Sequence, residues 1–162
     1  MTTVLIVDDD ADHRDLITLA LQRFGHDVVA VADADAARRA LAAGGIDAAL
    51  LDVRMPGESG IDLCRGLRAA RATAGLPIML VSADVNGDRI LAGMDAGADD
   101  YLAKPYQRAE LATRVETLLA RRERPAGGSA TAARAALLAA RAALPRPVGV
   151  PAVPQPGLAR TA

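Results

Sequence analysis

Five short apolar runs alternate along this chain with segments long enough to form helices. The runs cover residues 4–7, 28–31, 48–51, 78–81 and 101–103, and they are rich in valine, isoleucine and leucine. Because a strand that returns parallel to its neighbour needs a long crossover, usually a helix, this alternation is typical of a parallel sheet covered on both faces. The sequence therefore predicts an α/β domain with a doubly wound, five-stranded parallel sheet and five helices.

Apolar residues at three- and four-residue spacing indicate the helices between these strands. In the first helix this spacing joins Ile17, Ala20, Leu21 and Phe24, and Gly25 ends the helix. The second and third helices are expected over about 35–43 and 60–72. Asn86 is expected to cap a short fourth helix that Gly97 closes, and the fifth helix should end near residue 124, with an apolar face formed by Leu111, Val115, Leu118 and Leu119.

The 162 residues suffice for one compact domain with some length left over. We expect the domain to span residues 1–122 and to be followed by a tail, 123–162, because the composition changes there. Six of the nine prolines lie from Pro125 onward, and the charged side chains of that segment are all arginines. Residues 131–144 would form an alanine-rich helix, but isolated helices of that length are marginal in water. The tail is expected to be flexible, either disordered or partly helical.

Overall charge and cysteine content limit the classes of function. Nineteen basic and twenty acidic residues give a net charge of -1, which favours neither a nucleic-acid nor a membrane partner. The single cysteine, Cys64, excludes an internal disulfide framework and fits a reducing compartment. We therefore expect a cytoplasmic protein with no direct nucleic-acid binding and no membrane contact.

Polar side chains able to handle phosphate or metal follow four of the five apolar runs. Asp8 and Asp9 follow the first, Asp52 the third, Ser82 the fourth and Lys104 the fifth. In a parallel sheet the carboxyl ends of the strands share one edge, where ligands bind. The sequence therefore predicts that these five side chains lie together.

Three carboxylates in one place need nearby cations. At a separation of ~4 Å and an effective dielectric of ~20, each pair of charges repels by about 4 kcal/mol. Lys104 supplies one positive charge, and Mg²⁺ is the natural second cation because it prefers oxygen ligands and keeps waters that a phosphate can replace. With its charge neutralised in this way, the Asp52 carboxylate could attack a phosphoryl group. The strand-end residues by themselves therefore predict a phosphate or metal site at this edge.

Four motifs resemble those of a known family. The strings VLIVDDD, LLDVRMPGESG, LVSA and YLAKP, in this order and spacing, are similar to the receiver domains of two-component response regulators over residues 1–122. The resemblance implies a flavodoxin-like sheet with strand order 2-1-3-4-5. Because the residues after about 124 leave no room for an output domain, we expect a stand-alone regulator like those of chemotaxis or of phosphorelays.

The resemblance assigns roles to individual residues. Asp52 would be the phospho-acceptor. Asp9 would bind Mg²⁺ directly, Asp8 mainly through water, and Arg54 through its backbone carbonyl, with Asp52 completing the metal site. The residues expected to bind or report the phosphoryl group are Ser82, Lys104 and the switch aromatic Tyr101. The residues expected to flank the site are Ala83, Asp84 and Pro105, with a cis bond before the proline.

The resemblance also implies how such a protein works. It would be a signalling protein rather than an enzyme, assisting only its own phosphotransfer and dephosphorylation. Its partners would be a sensor histidine kinase or a phosphotransfer protein, and an unknown downstream protein at the face formed by the fourth helix, fifth strand and fifth helix. A phosphorylation-dependent homodimer is a further expectation.

Two other functions stay open at this stage. A receiver-like module that binds partners without phosphorylation would have the same motifs. The Asp8 and Asp10 spacing is similar to that of haloacid-dehalogenase-type phosphatases, although Asp12 stands where those enzymes have threonine or valine. Among single residues, Tyr101 would equally suit a half-buried core position, and His13 and His26 are expected at the surface because neither follows a strand at the active edge.

Overall fold

Five parallel strands and five helices form this protein in a computed structural model that describes residues 1–84 and 86–122. The elements are β1 (Thr3–Val7), α1 (Ala11–Arg23), β2 (Asp27–Val31), α2 (Ala34–Ala43), β3 (Ala48–Asp52), α3 (Gly60–Ala69), β4 (Ile78–Ser82), α4 (Gly87–Asp95), β5 (Asp100–Ala103) and α5 (Arg108–Arg122). The strand order is β2-β1-β3-β4-β5, which confirms the predicted flavodoxin-like sheet. The predicted tail, 123–162, lies outside the described residues.

The apolar runs are continuous because helices cover both faces of the sheet. Successive side chains of a strand point to opposite faces. Leu51 accordingly packs in a cluster with residues of α2 and α3, whereas its neighbour Leu50 packs in a second cluster with residues of α1 and α5. The central strands β3 and β4 are buried at every position. Parallel sheets buried on both faces show this pattern rather than an alternation of polar and apolar residues.

The strand register brings the polar strand ends to one edge. Val7 at the end of β1 is paired with Leu51, one residue before Asp52. Asp52 is paired with Val81, one residue before Ser82, which in turn is paired with Ala103. The residues that follow these pairs therefore emerge side by side.

The structure corrects two predictions about the end of α1 and the turn after it. Phe24 was expected on the buried face of α1 but is 50% exposed, because the helix ends at Arg23 and Phe24 is its C-cap, outside the helical repeat. His26 was expected at the surface but is buried. Its Nδ1 lies 2.6 Å from Thr2 Oγ1 and its Nε2 3.2 Å from Glu116 Oε1, because the turn after α1 places it between β1 and α5.

Other boundaries follow the predictions with small shifts. Ile17, Ala20 and Leu21 are the buried residues of α1, and Asn86 caps α4 by accepting a hydrogen bond from the Asp88 N–H. The third helix ends at Ala69, three residues earlier than expected, and the chain turns immediately after it.

Gly60, the first residue of α3, lies directly against the end of β3. A Cβ at this position would collide with the carbonyl oxygen of Asp52. We expect Gly60→Ala to lower the free energy of unfolding by about 2 kcal/mol, a typical cost of overpacking, as measured by urea unfolding. Gly66→Ala in the same helix is the control, because a Cβ there would meet only the Arg38 guanidinium, at 3.6 Å. It should be stabilising by up to about 1 kcal/mol. Equal effects of the two changes would contradict the expected close approach.

Candidate functional site

Three carboxylates meet at the carboxyl edge of the sheet. Asp8 and Asp9 follow β1, and Asp52 ends β3. One oxygen of each lies within 4.8 Å of one oxygen of the other two, and Asp8 and Asp52 are buried whereas Asp9 is exposed. A compact set of carboxylate oxygens that opens to solvent on one side fits a hard divalent cation such as Mg²⁺, which retains several of its waters.

The Lys104 ammonium contacts both buried carboxylates of this site. Its Nζ donates to Asp52 Oδ1 at 2.7 Å and to Asp8 Oδ2 at 3.1 Å. Its backbone N–H donates to the Ser82 carbonyl at 2.7 Å, and the Lys104-Pro105 bond is cis, as the family resemblance implied. Ser82 itself is buried at the end of β4, where its Oγ accepts a hydrogen bond from the Asp84 N–H at 3.0 Å.

The environment pushes the pKa values of the two buried carboxyl groups apart. Burial raises the pKa of Asp52, and the contact with Lys104 reverses only part of that rise. Burial acts in the same sense on Asp8, but hydrogen bonds from His13 and the Asp10 backbone, together with Lys104, outweigh it and lower the pKa of Asp8. Burial alone would lower the pKa of Lys104, whereas its contacts with Asp52 and Asp8 raise it. The lysine therefore stays charged, and Asp8 is the more firmly ionised partner.

Asp8 and Asp9 differ in how their oxygens are occupied. Asp8 Oδ1 accepts from the Asp10 N–H at 2.9 Å, and Oδ2 contacts both His13 Nδ1 and Lys104 Nζ. Among residues 1–84 and 86–122 we find no hydrogen bond to the Asp9 carboxylate. Asp9 therefore has free oxygens to offer, whereas those of Asp8 already have partners.

Two residues that the sequence analysis did not assign to the site belong to it. His13 was expected at the surface, but its side chain is 16% exposed, with Nδ1 2.5 Å from Asp8 Oδ2 and Nε2 2.7 Å from the Tyr106 hydroxyl oxygen. Asp10 caps α1, so His13 lies in the first helical turn and faces back toward β1. The one sequence signal is its position directly after the acidic run. Tyr106 follows the cis proline and contacts the site through His13.

The other predicted site residues lie next to Asp52, Ser82 and Lys104. The Arg54 N–H donates to Asp52 Oδ2 at 2.9 Å, and the Arg54 guanidinium forms an ion pair with Asp84 at 3.2 Å. Tyr101 is buried, and its hydroxyl donates to the Asp84 carbonyl at 2.7 Å. Ala83 and Pro105 are exposed next to Ser82 and Lys104. Metal binding by the Arg54 carbonyl and a switch role for Tyr101 stay predictions.

Comparison with known families identifies the domain. The family model for the response regulator receiver domain matches residues 4–116 of this chain. The chain belongs to the response regulator receiver family. Members of this family are signalling modules that interact with histidine kinases or phosphotransfer proteins and bind Mg²⁺ at an acidic pocket, and the cluster of Asp8, Asp9 and Asp52 supplies such a pocket here.

Two curated relatives match this chain over 120 residues. The DNA-binding response regulator MtrA of Mycobacterium tuberculosis is 38% identical over 120 residues, which are 74% of this chain and 51% of that protein. The transcriptional regulatory protein GltR of Pseudomonas aeruginosa is 39% identical over 120 residues, 74% of this chain and 49% of GltR. The chain thus matches about half the length of these relatives.

Solved structures agree with the receiver fold. The Francisella response regulator 1452 receiver domain is 30% identical, with a TM-score of 0.70 over 75% of this chain and 98% of that one. The Vibrio cholerae chemotaxis protein CheY4 is 25% identical, with a TM-score of 0.70 over 73% of this chain and 98% of CheY4. Within the described part of the receiver domain, no helix has the length and apolar character that crossing a membrane requires.

Proposed function

We propose that this receiver domain accepts a phosphoryl group on Asp52 from a histidine kinase or phosphotransfer protein, in a reaction that needs Mg²⁺. The observation that carries the proposal is the position of Asp52, a buried carboxylate beside Asp8 that is held by the Lys104 ammonium. A carboxylate oxygen of Asp52 forms the new bond to phosphorus as the bond between phosphorus and the histidine nitrogen of the donor protein breaks. Lys104 then pairs with one phosphoryl oxygen, and the Ser82 hydroxyl donates to another.

The metal would be held by the acidic cluster. Asp9 would be a direct ligand because its carboxylate is exposed and free of hydrogen bonds within the described residues, whereas Asp8 would act mainly through water because its oxygens already accept hydrogen bonds. Asp52 and the Arg54 carbonyl would complete the set. The ion would neutralise charge that builds up on the phosphoryl oxygens.

Phosphorylation would be read at the face formed by α4, β5 and α5. The Tyr101 hydroxyl of β5 donates a hydrogen bond to the Asp84 carbonyl, in the segment before α4. The Asp84 N–H in turn donates a hydrogen bond to Ser82 Oγ. Movement of the Ser82 hydroxyl toward the phosphoryl group would therefore disturb both hydrogen bonds. A downstream protein or a second copy of this chain would recognise the changed face. MtrA is named as a DNA-binding protein, but we do not propose direct DNA binding for these residues. Signalling as a stand-alone cytoplasmic regulator stays a prediction.

A phosphorylation assay tests the proposal. The protein is incubated with acetyl phosphate, with Mg²⁺ or with a chelator, and its intact mass is measured. We expect one phosphoryl group to be added only when Mg²⁺ is present. No adduct under either condition would favour the phosphorylation-independent binding module. Sustained release of phosphate from small phosphomonoesters would instead support the phosphatase alternative.

A further inference from the structure

The hydrogen bond between His13 and Asp8 lies within the site. The function proposed above assigns His13 no role of its own. We propose that His13 is a positioning residue for Asp8 and that Tyr106 orients His13. His13 holds Asp8 in place for Mg²⁺ binding, both before phosphorylation and when Lys104 turns to the phosphoryl group. The inference rests on the proposed magnesium-dependent function and adds two residues to it.

The local backbone directs His13 at Asp8. The Asp10 side chain accepts hydrogen bonds from the backbone N–H groups of Asp12 and His13, which starts α1 at Ala11. The imidazole thereby lies over the end of β1. Tyr106 comes from the other side, after β5, and its ring stands edge-on to the imidazole with the ring centres 5.9 Å apart.

Two hydrogen bonds link Tyr106, His13 and Asp8 in a chain. The Asp8 carboxylate only accepts hydrogen bonds, so His13 donates to it through Nδ1–H. In the neutral ring Nε2 then accepts, and the donor is the Tyr106 hydroxyl at 2.7 Å. Burial raises the pKa of Tyr106, so the phenol keeps the proton that it donates. Each member of the chain thus fixes the orientation of the next, as hydrogen-bond partners do for the residues of a metal site.

The need for His13 follows from the competing tasks of Lys104. Asp8 Oδ2 is shared by His13 and Lys104, and Asp8 is 2% exposed. Phosphorylation of Asp52 draws the lysine toward the new phosphoryl oxygens. Without His13, Asp8 would then have lost both of the side chains that contact its Oδ2. A buried carboxylate in that state would be strongly destabilised or would turn away from the site. Because His13 stays bonded to Oδ2, Lys104 is free to move while Asp8 keeps its position.

Three substitutions at residue 13 separate this role from simple packing. His13→Asn keeps a donor nitrogen near the Nδ1 position, so it can still bond to Asp8. His13→Gln extends its amide toward the Nε2 position and Tyr106 but loses the donor to Asp8. His13→Leu removes both contacts and keeps a similar volume. Tyr106→Phe leaves His13 in place without the hydroxyl that orients it.

Mg²⁺ binding to the full-length protein, measured by isothermal titration calorimetry, is the readout, with far-UV circular dichroism to verify folding. We expect His13→Leu and His13→Gln to bind Mg²⁺ about tenfold more weakly. This is the lower end of the effect of losing a partner that orients a metal-site residue, because Asp8 itself acts mainly through water. His13→Asn should bind close to the wild-type affinity, and Tyr106→Phe should fall between.

The outcomes distinguish the two proposals. Unchanged affinity in all four variants would overturn the positioning role and leave the proposed function intact. Equal weakening in the Leu, Gln and Asn variants would also overturn it, because the ring would then act only through packing. If the wild-type protein bound no Mg²⁺, the proposed magnesium-dependent function would itself fail, and the role of His13 with it.

Discussion

Asp52→Asn is expected to abolish phosphorylation by acetyl phosphate, because the amide nitrogen and oxygen that replace the carboxylate are too weakly nucleophilic to attack phosphorus. The variant should show no added mass under conditions that phosphorylate the wild-type protein. It should fold normally. The folded-state pKa of Asp52 is raised, so the folded chain holds a proton there more tightly than the unfolded chain does, and the ionised group lowers stability at neutral pH. A neutral isostere should therefore leave the melting temperature of the metal-free protein unchanged or higher.

Asp27→Asn is the matched control for this change. Asp27 is an exposed aspartate at the start of β2, at the edge of the sheet away from the site, and its substitution should leave phosphorylation unchanged. An adduct that persisted on the Asp52→Asn protein at the wild-type rate would place the acceptor on another residue. The other carboxylates of the cluster, Asp8 and Asp9, would then be tested in turn.

Lys104→Met is expected to cause the largest loss of stability among substitutions at the site. It removes the ammonium that contacts Asp8 and Asp52, which are buried at 2% and 6% exposure. Removing one partner of a fully buried ion pair costs ~3–5 kcal/mol, and we expect about 2 kcal/mol here because the Lys104 side chain is 23% exposed to screening solvent. Urea unfolding in a chelator, followed by far-UV circular dichroism because the chain has no tryptophan, measures the loss.

A double substitution shows whether charge is the cause. Asp52→Asn combined with Lys104→Met removes one of the two carboxylates that have lost the ammonium, and we expect it to recover part of the stability. Arg65→Met is the control cation, because its ion pair with Asp62 is exposed and should contribute at most ~1 kcal/mol. A double variant no more stable than Lys104→Met would contradict the electrostatic account and indicate lost packing of the lysine stem.

The NMR signal of the Lys104 side chain can report the proposed phosphorylated state. It is the only lysine in the chain, so ¹³Cε-lysine labelling gives a single side-chain signal in NMR spectra. We expect beryllofluoride with Mg²⁺ to shift this signal in the wild-type protein, as the ammonium leaves Asp8 for the phosphoryl analogue. A signal that did not respond would contradict the pairing of Lys104 with the phosphoryl group.

The sequence was sufficient to predict the sheet and to group the strand-end residues. Runs such as residues 48–51 are apolar at every position because both faces of a parallel sheet are covered, and this pattern is visible without coordinates. Asp8 and Lys104 are 96 residues apart, yet parallel strands end at one edge, so their meeting followed from topology.

The tertiary structure decided which way individual side chains face. His13 contacts Tyr106 across 93 residues, and His26 is buried between Thr2 and Glu116, although both histidines were expected at the surface. Phe24 was expected inside and is exposed. Periodicity shows that a helix has a buried face. It does not show where the helix begins or ends to within one residue, and one residue rotates a side chain by about 100° around the helix axis. The strand ends of this protein were therefore readable from sequence, whereas the second layer of contacts behind Asp8 depended on the packing of α1 against the sheet and on the position of Tyr106 after β5.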